Sequence, residues 1–157
     1  MAKITALIHA HTDAARLGRT LESLRPCDEV LIIHHGSDQT IDKIAREHGA
    51  RIKAAVPGVA DGTYLSDARN DWILCVLPSE TLSEALEASL LEWKKREPHD
   101  ALGFAVAIRE ETANGWREHP PECRLVNRQK LNWTTELPPN DAATERLEGE
   151  LLRFSSP

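Results

Sequence analysis

The sequence predicts an α/β fold in which a mostly parallel central sheet is extended by antiparallel strands near its C-terminal end. Two observations carry this. Short, branched apolar runs alternate with amphipathic stretches of helical period through residue 97, the pattern of βα units. After Pro98 the texture changes to strand-rich segments joined by turns, which suits antiparallel additions.

Each element follows in order. KITALIHA (3–10) is a short apolar strand with Ile4, Leu7 and Ile8, and the polar HTD after it can cap a helix from about Ala14 to Leu24, on which Leu17, Leu21 and Leu24 recur at helical spacing. Pro26 ends that helix. EVLIIHH (29–35) is continuous in branched aliphatics, as burial on both faces requires. GSDQT then turns the chain with helix-capping side chains, and IDKIAREHGA stops at Gly49. ARIKAAV (50–56) reads as a third strand, Pro57, Gly58 and Gly62 mark a loop, 63–69 a short helical piece, and DWILCVL a fourth strand. TLSEALEASLLEWKKRE (81–97) aligns Leu82, Leu86, Leu90 and Trp93 on one face of a long amphipathic helix, with Glu84, Glu87 and Glu92 on its solvated side. ALGFAVAIREE, GWREHPPECRLVNRQKLNW and ERLEGELLRFS supply the closing strands.

The 157 residues, of 17.5 kDa, fit one domain spanning 1–157, long enough to bury about two thirds of the surface of the unfolded chain. A formal charge of -6 with acids and bases interspersed leaves no basic stripe for a phosphate backbone, which argues against a nucleic-acid partner. Cys27, Cys75 and Cys123 lie far apart, with no Cys-x-x-Cys pair and no disulfide framework, so a reduced, cytoplasmic setting is expected. None of the three shows a neighbouring base that would make it a nucleophile, and Cys75 falls inside a strand. No signal peptide or transmembrane segment is expected from the apolar runs. The glycine fingerprints of P-loop and dinucleotide folds, and the Gly-x-Ser-x-Gly elbow of hydrolases, are missing.

The stretches ITALIHAHTDAARLGRTLESL, DEVLIIHHGSDQTIDKIAREHGARI and DWILCVLPSETLSEAL, the elements GW and RLVNR, and LEGELLRFS, in that order from Lys3 to Ser156, resemble family 2 glycosyltransferases, especially the bacterial lipopolysaccharide-core type. The resemblance implies a GT-A fold, a three-layer α/β/α sandwich, with a nucleotide-sugar donor and a saccharide or lipid-linked acceptor. It also implies a divalent cation, Mn or Mg, bridging the donor diphosphate to an Asp-x-Asp at the end of the fourth strand, and an inverting displacement. In this sequence the two aspartates fall on Leu77 and Ser79, and only the trailing Glu80 offers a carboxylate. The Asp that holds base and ribose after the second strand falls on His34, with Gly36 and Ser37 retained; a Lys/Arg-Asn pair falls on Gly62-Thr63; and a late His-Glu pair falls on Thr135-Glu136. Trp116, Arg124 and Arg128 stand where the resemblance puts scaffold and acceptor-side positions.

Two candidate sites follow. The first is a nucleotide-sugar crevice of Ala10, His11 and Asp13, His34 and Gly36, and Ser79 and Glu80, with Glu136 as the base that the resemblance implies. The second comes from the residues alone: His9, His11 and His34 sit at the ends of two strands that should be neighbours, and such imidazoles suit Zn, Ni or Cu(II). Strand alternation puts His9 and His11 on one face and sends His34 and His35 to opposite faces, so at most three converge. His48, His99 and His119 read as isolated surface residues. The functional expectation is a glycosyltransferase-like protein with an eroded metal site. The alternatives are a non-catalytic scaffold, with a protein partner, or a histidine-based metal-binding protein.

Overall fold

A computed structural model describes residues 1–12, 14–96 and 99–154. One eight-stranded sheet runs through the molecule. Its strands are β1 (Ile4–Ala10), β2 (Glu29–His34), β3 (Arg51–Ala54), β4 (Trp72–Cys75), β5 (Glu80–Leu82), β6 (Gly103–Thr112), β7 (Gly115–Asn127) and β8 (Glu145–Phe154), and its order is β3-β2-β1-β4-β7-β6-β8-β5. The first four strands pair in parallel. β7 joins β4 and β6 antiparallel, β8 runs parallel to β6, and β5 closes the edge antiparallel to β8.

The α-helices are α1 (Leu17–Glu22), α2 (Gln39–Glu47) and α3 (Glu84–Lys95). The α2 N-terminus is capped by the Asp38 side chain on the Thr40 amide, and that of α3 by Ser83 on the Leu86 amide. α1 is shorter than its leucine spacing predicts, and the residue at its N-cap, Arg16, makes no side-chain cap; Asp13, the acid of the HTD expected to cap it, lies outside the described residues. The predicted start of α3 also shifts. Glu80, Thr81 and Leu82 form β5 instead, because β8 presents an open edge on which they pair, Leu82 with Leu151.

The buried side chains of all three α-helices pack on one face of the sheet, where Leu17, Leu21, Ile41, Ala45, Leu86 and Trp93 meet Ile4, Ile8, Ile32 and Leu74. The opposite face carries Leu7, Leu31, Ile33, Ile73 and Cys75, and is covered by Tyr64 and Leu65 of a 3-10 segment, Asp61–Asp67, together with Trp133 and Ala142. Among the described residues no α-helix lies there, so the expected three-layer sandwich becomes a mixed sheet with one helical and one irregular layer. The period of two along β1 and β2 assigns each residue to its layer: even positions face the helices and odd ones face the irregular cover.

Two glycines allow close approaches that build this cover and its opposite edge. A Cβ on Gly62 would lie 1.6 Å from the Trp133 carbonyl oxygen, and the Gly62 amide donates to the Thr134 carbonyl at 3.1 Å, so the 3-10 segment lies directly against residues 133–134. Gly149, at φ +92°, lets β8 cross the start of α3, where its Cβ would lie 2.3 Å from the Leu86 nitrogen.

Candidate functional site: a histidine cluster beside a sealed carboxylate

The carboxyl ends of β1, β2 and β4 open onto the region where an open α/β sheet holds its ligands. At the β4 end the carboxylate is fully paired within the protein. Glu80 is fully buried; its Oε1 accepts from Arg124 Nη1 at 2.6 Å and from the Leu77 amide at 2.9 Å, and its Oε2 accepts from Arg124 Nη2 at 2.9 Å and Arg153 Nη2 at 3.0 Å. Glu122 completes a neutral quartet by accepting from Arg124 Nε at 3.1 Å and Nη2 at 2.9 Å. Burial alone would raise the Glu80 pKa, but the field and hydrogen bonds of Arg124, the Leu77 amide and Arg153 outweigh it and hold the carboxyl below its ordinary range. Glu80 is therefore a structural anion and not an open metal-side acid, which corrects its assignment to the crevice. Ser79 spends its carbonyl on the Phe154 amide at 2.9 Å, and Thr20 on α1 donates its hydroxyl to the Pro78 carbonyl at 2.8 Å.

The ends of β1 and β2 differ. Ala10 pairs with His34 and His9 with Ile33, so His35, one step past the strand, shares the His9 face. His9 Nδ1 and His35 Nε2 share a hydrogen bond at 2.8 Å, and the His11 ring stacks on His35 with centroids 4.4 Å apart. Asp61, first residue of the 3-10 segment, brings Oδ1 to 3.8 Å from His35 Nε2 and 4.0 Å from His9 Nδ1. Glu136 comes from the segment after Trp133 and sets Oε1 2.5 Å from His11 Nε2. Burial holds His9 below the ordinary imidazole range, against the upward pull of the Glu136 and Asp61 carboxylates, so it is neutral at pH 7 and keeps a lone pair. His9 Nε2 is buried without a protein partner.

Three histidines do converge, as strand alternation allows, but the third is His35. His34 points to the helical face, where it is 5% exposed and its Nδ1 lies 3.1 Å from Asp42 Oδ1 on α2. The structure thereby removes His34 from both the metal set and the nucleotide crevice. Ala10 is buried and its carbonyl accepts the His35 amide at 2.8 Å; Gly36, at φ +135°, makes the turn that follows. Asp13 lies outside the described residues. His11 and Glu136, assigned to different parts of a donor and acceptor site, form one pair. The sequence reading does not single out Asp61, although its place just before Gly62, in the loop that Pro57, Gly58 and Gly62 mark, is a usable signal.

The remaining candidates take structural roles. Arg128 Nη1 donates to the Leu65 and Ala68 carbonyls at 2.6 and 2.7 Å, fastening the 3-10 segment to the sheet. Trp116 is exposed and packs against Phe154 and the Arg109 guanidinium. Burial pushes the Cys75 thiol up to about 12 and the Cys123 thiol up to about 11, so neither is a nucleophile at neutral pH. His99 stacks on Trp93 at 4.2 Å and His119 pairs with Glu110 at 2.7 Å, so neither is isolated.

Comparison with known proteins fixes the fold. No family model matches the chain, and no curated protein does. Among solved structures, the chain is similar to mannosyl-3-phosphoglycerate synthase from Rubrobacter xylanophilus, with a TM-score of 0.52 at 15% identity over 70% of this chain and 40% of that one. It is also similar to glucosyl-3-phosphoglycerate synthase from Mycobacterium tuberculosis in complex with Mn2+, uridine diphosphate and phosphoglyceric acid, with a TM-score of 0.50 at 15% identity over 69% of this chain and 43% of that one. The fold is that of the GT-A glycosyltransferases. This chain spans less than half the length of either enzyme. No helix among the described residues is long and apolar enough to cross a membrane.

Proposed function

We propose that this chain is a glycosyltransferase-like domain, of the family 2 lipopolysaccharide-core type, whose Asp-x-Asp site has been lost and whose fold now serves as a non-catalytic binding module. The observation that carries the reading is the state of Glu80: both of its oxygens are consumed by Arg124, Arg153 and the Leu77 amide at zero exposure. A hard cation on a diphosphate needs several oxygen ligands. Leu77 supplies none, the Ser79 hydroxyl is a weak one, and freeing Glu80 would leave the Arg124 and Arg153 guanidinium groups with Glu122 as their one carboxylate partner among the described residues.

The position that the resemblance gives to a base-holding Asp is His34, whose ring lies against Asp42 on the helical face, while His11 stacks on His35 on the other. Manganese and magnesium, the cations expected from the resemblance, have no carboxylate pair at the β4 end to hold them.

Calorimetric titration of the purified protein with UDP-glucose and a small panel of nucleotide sugars, with and without manganese, tests this. The expected outcome is no manganese-dependent binding. Manganese-dependent binding of any donor would overturn the reading and restore a live transferase acting on a saccharide or lipid-linked acceptor. One observation favours that second reading, the 2.5 Å contact of Glu136 with His11, a carboxylate–imidazole pair able to accept a proton from an acceptor hydroxyl. On that reading Glu136→Gln abolishes transfer while donor binding persists.

A further inference from the structure

We propose that His9, His35 and Asp61 form a binding site for one divalent cation of the zinc class, with His11 and Glu136 at its open side. The site belongs to the irregular face of the sheet and involves none of the positions on which the lost Asp-x-Asp falls. It does not rest on the glycosyltransferase reading.

The donor atoms are already gathered. His9 Nδ1, His35 Nε2 and Asp61 Oδ1 stand 2.8, 3.8 and 4.0 Å from one another. A tetrahedral ion with bonds of about 2.0–2.1 Å sets its ligands about 3.3 Å apart. The three separations straddle that value, so side-chain movements on the order of half an ångström would seat the ion. His35 also belongs to a second convergent set with His11 and Glu136. The shared imidazole places the two sets side by side and not at separate sites.

The chemistry selects the cation. Two imidazoles and one carboxylate match zinc, nickel or copper, whereas magnesium and manganese prefer sites built from oxygen. Three protein ligands leave a fourth position open, as in sites that hold water or an exchangeable ligand. The side chains beside it, His11 at 51% exposure and Glu136 at 29%, lie where solvent reaches.

The supporting structure makes the arrangement reproducible. His9 sits on a fully buried strand, the His35 amide is fixed on the Ala10 carbonyl, and Asp61 is held by the contact of Gly62 with residues 133–134. The ring edge of Tyr64 closes on His9 with centroids 6.2 Å apart, and the Tyr64 hydroxyl accepts the Val56 amide at 2.6 Å. Ligands carried on rigid elements lose little order when the metal arrives.

The test is titration of the chelator-stripped full chain with ZnCl2 by calorimetry, and with CoCl2 by visible absorption, in the absence of nucleotide. The expected result is one equivalent of zinc, and a cobalt complex with the intense visible bands of low-coordinate geometry. His35→Ala should weaken zinc binding by about a hundredfold or more, beyond the 10–100-fold that loss of a supporting partner costs. Asp61→Asn, nearly the same shape and partly exposed, gives a second reading should His35→Ala fail to fold, with an expected loss of at least about tenfold. His48→Ala, just past the end of α2 with its ring on the Ile44 carbonyl, should leave affinity unchanged. Absence of zinc binding, or binding that survives both Asp61→Asn and His35→Ala, overturns the proposal. Because no nucleotide or manganese is present, its failure is distinct from a failure of the pseudo-transferase reading.

Discussion

The ends of β4 and β1 lie side by side in the sheet, yet they treat ionisable groups in opposite ways. At β4, Glu80 is sealed among Arg124, Arg153 and a backbone amide, and each oxygen has partners at hydrogen-bond distance. At β1 and β2, three imidazoles and two carboxylates crowd together, His9 bonded to His35 and His11 to Glu136. The first arrangement is complete without a ligand, because its charges cancel. The second has surplus lone pairs. A charged residue in a ligand crevice is thus no guide to function until its partners are counted: both oxygens of the acid that the sequence places at the donor site are taken by protein donors, whereas His9 keeps a buried ring nitrogen without a protein partner.

The largest expected effect breaks the first region. Glu80→Ala takes from the buried Arg124 its bidentate partner and leaves it, among the described residues, only the Glu122 carboxylate and the Cys75 carbonyl; removing one member of a buried ion pair costs about 3–5 kcal/mol. Urea denaturation should show that loss, while His35→Ala without metal should cost much less. If both cost the same, the contrast between the two regions fails.

Acid should act on the same region. The Glu80 pKa is lowered on folding, so the unfolded chain takes up its proton first as pH falls. The stability that Glu80 contributes is fully present above its unfolded value near 4.5 and is lost as pH falls from there through the lower folded value. Unfolding free energy measured between pH 6 and the acid limit should drop steeply below about pH 4.5, and less steeply in Glu80→Gln.

A smaller effect should sharpen the second region. Gly62→Ala inserts a methyl group where the Trp133 carbonyl lies, forcing the 3-10 segment away from residues 133–134. Overpacking of this kind costs about 1–3 kcal/mol. It should also separate Asp61 from its neighbours and weaken zinc binding, although Gly62 supplies no ligand. Calorimetry with zinc on the folded variant separates that effect from the stability loss.

Much of this architecture was legible in the sequence. The branched run 29–35, the Asp38 cap in the GSDQT turn, and the leucines of α3 fix their elements locally, through periodicity and capping. What was not legible depends on pairing at a distance. The partners of Glu80 come from β7 and β8, far along the chain, and β5 exists because β8 offers an edge. The choice between His34 and His35 required the β1–β2 register, since a slip of one residue exchanges the two faces. The metal set takes His34 from the residues alone, and the register puts His35 on the His9 face in its place.

That choice leads to the smallest of the expected effects. His34 is buried on the helical face with its Nδ1 near Asp42 and its Nε2 without a partner, whereas the Asp42 side chain is 41% exposed. Solvent screens the charge on Asp42, so Asp42→Asn should cost no more than about 1 kcal/mol, and the asparagine can keep a hydrogen bond to the ring. Zinc affinity should not change, because the pair lies across the sheet from His9 and His35. A measured loss of zinc binding in Asp42→Asn would mean that the two faces communicate through β2. It would also mean that a residue assigned to packing helps to set the geometry of the histidine cluster.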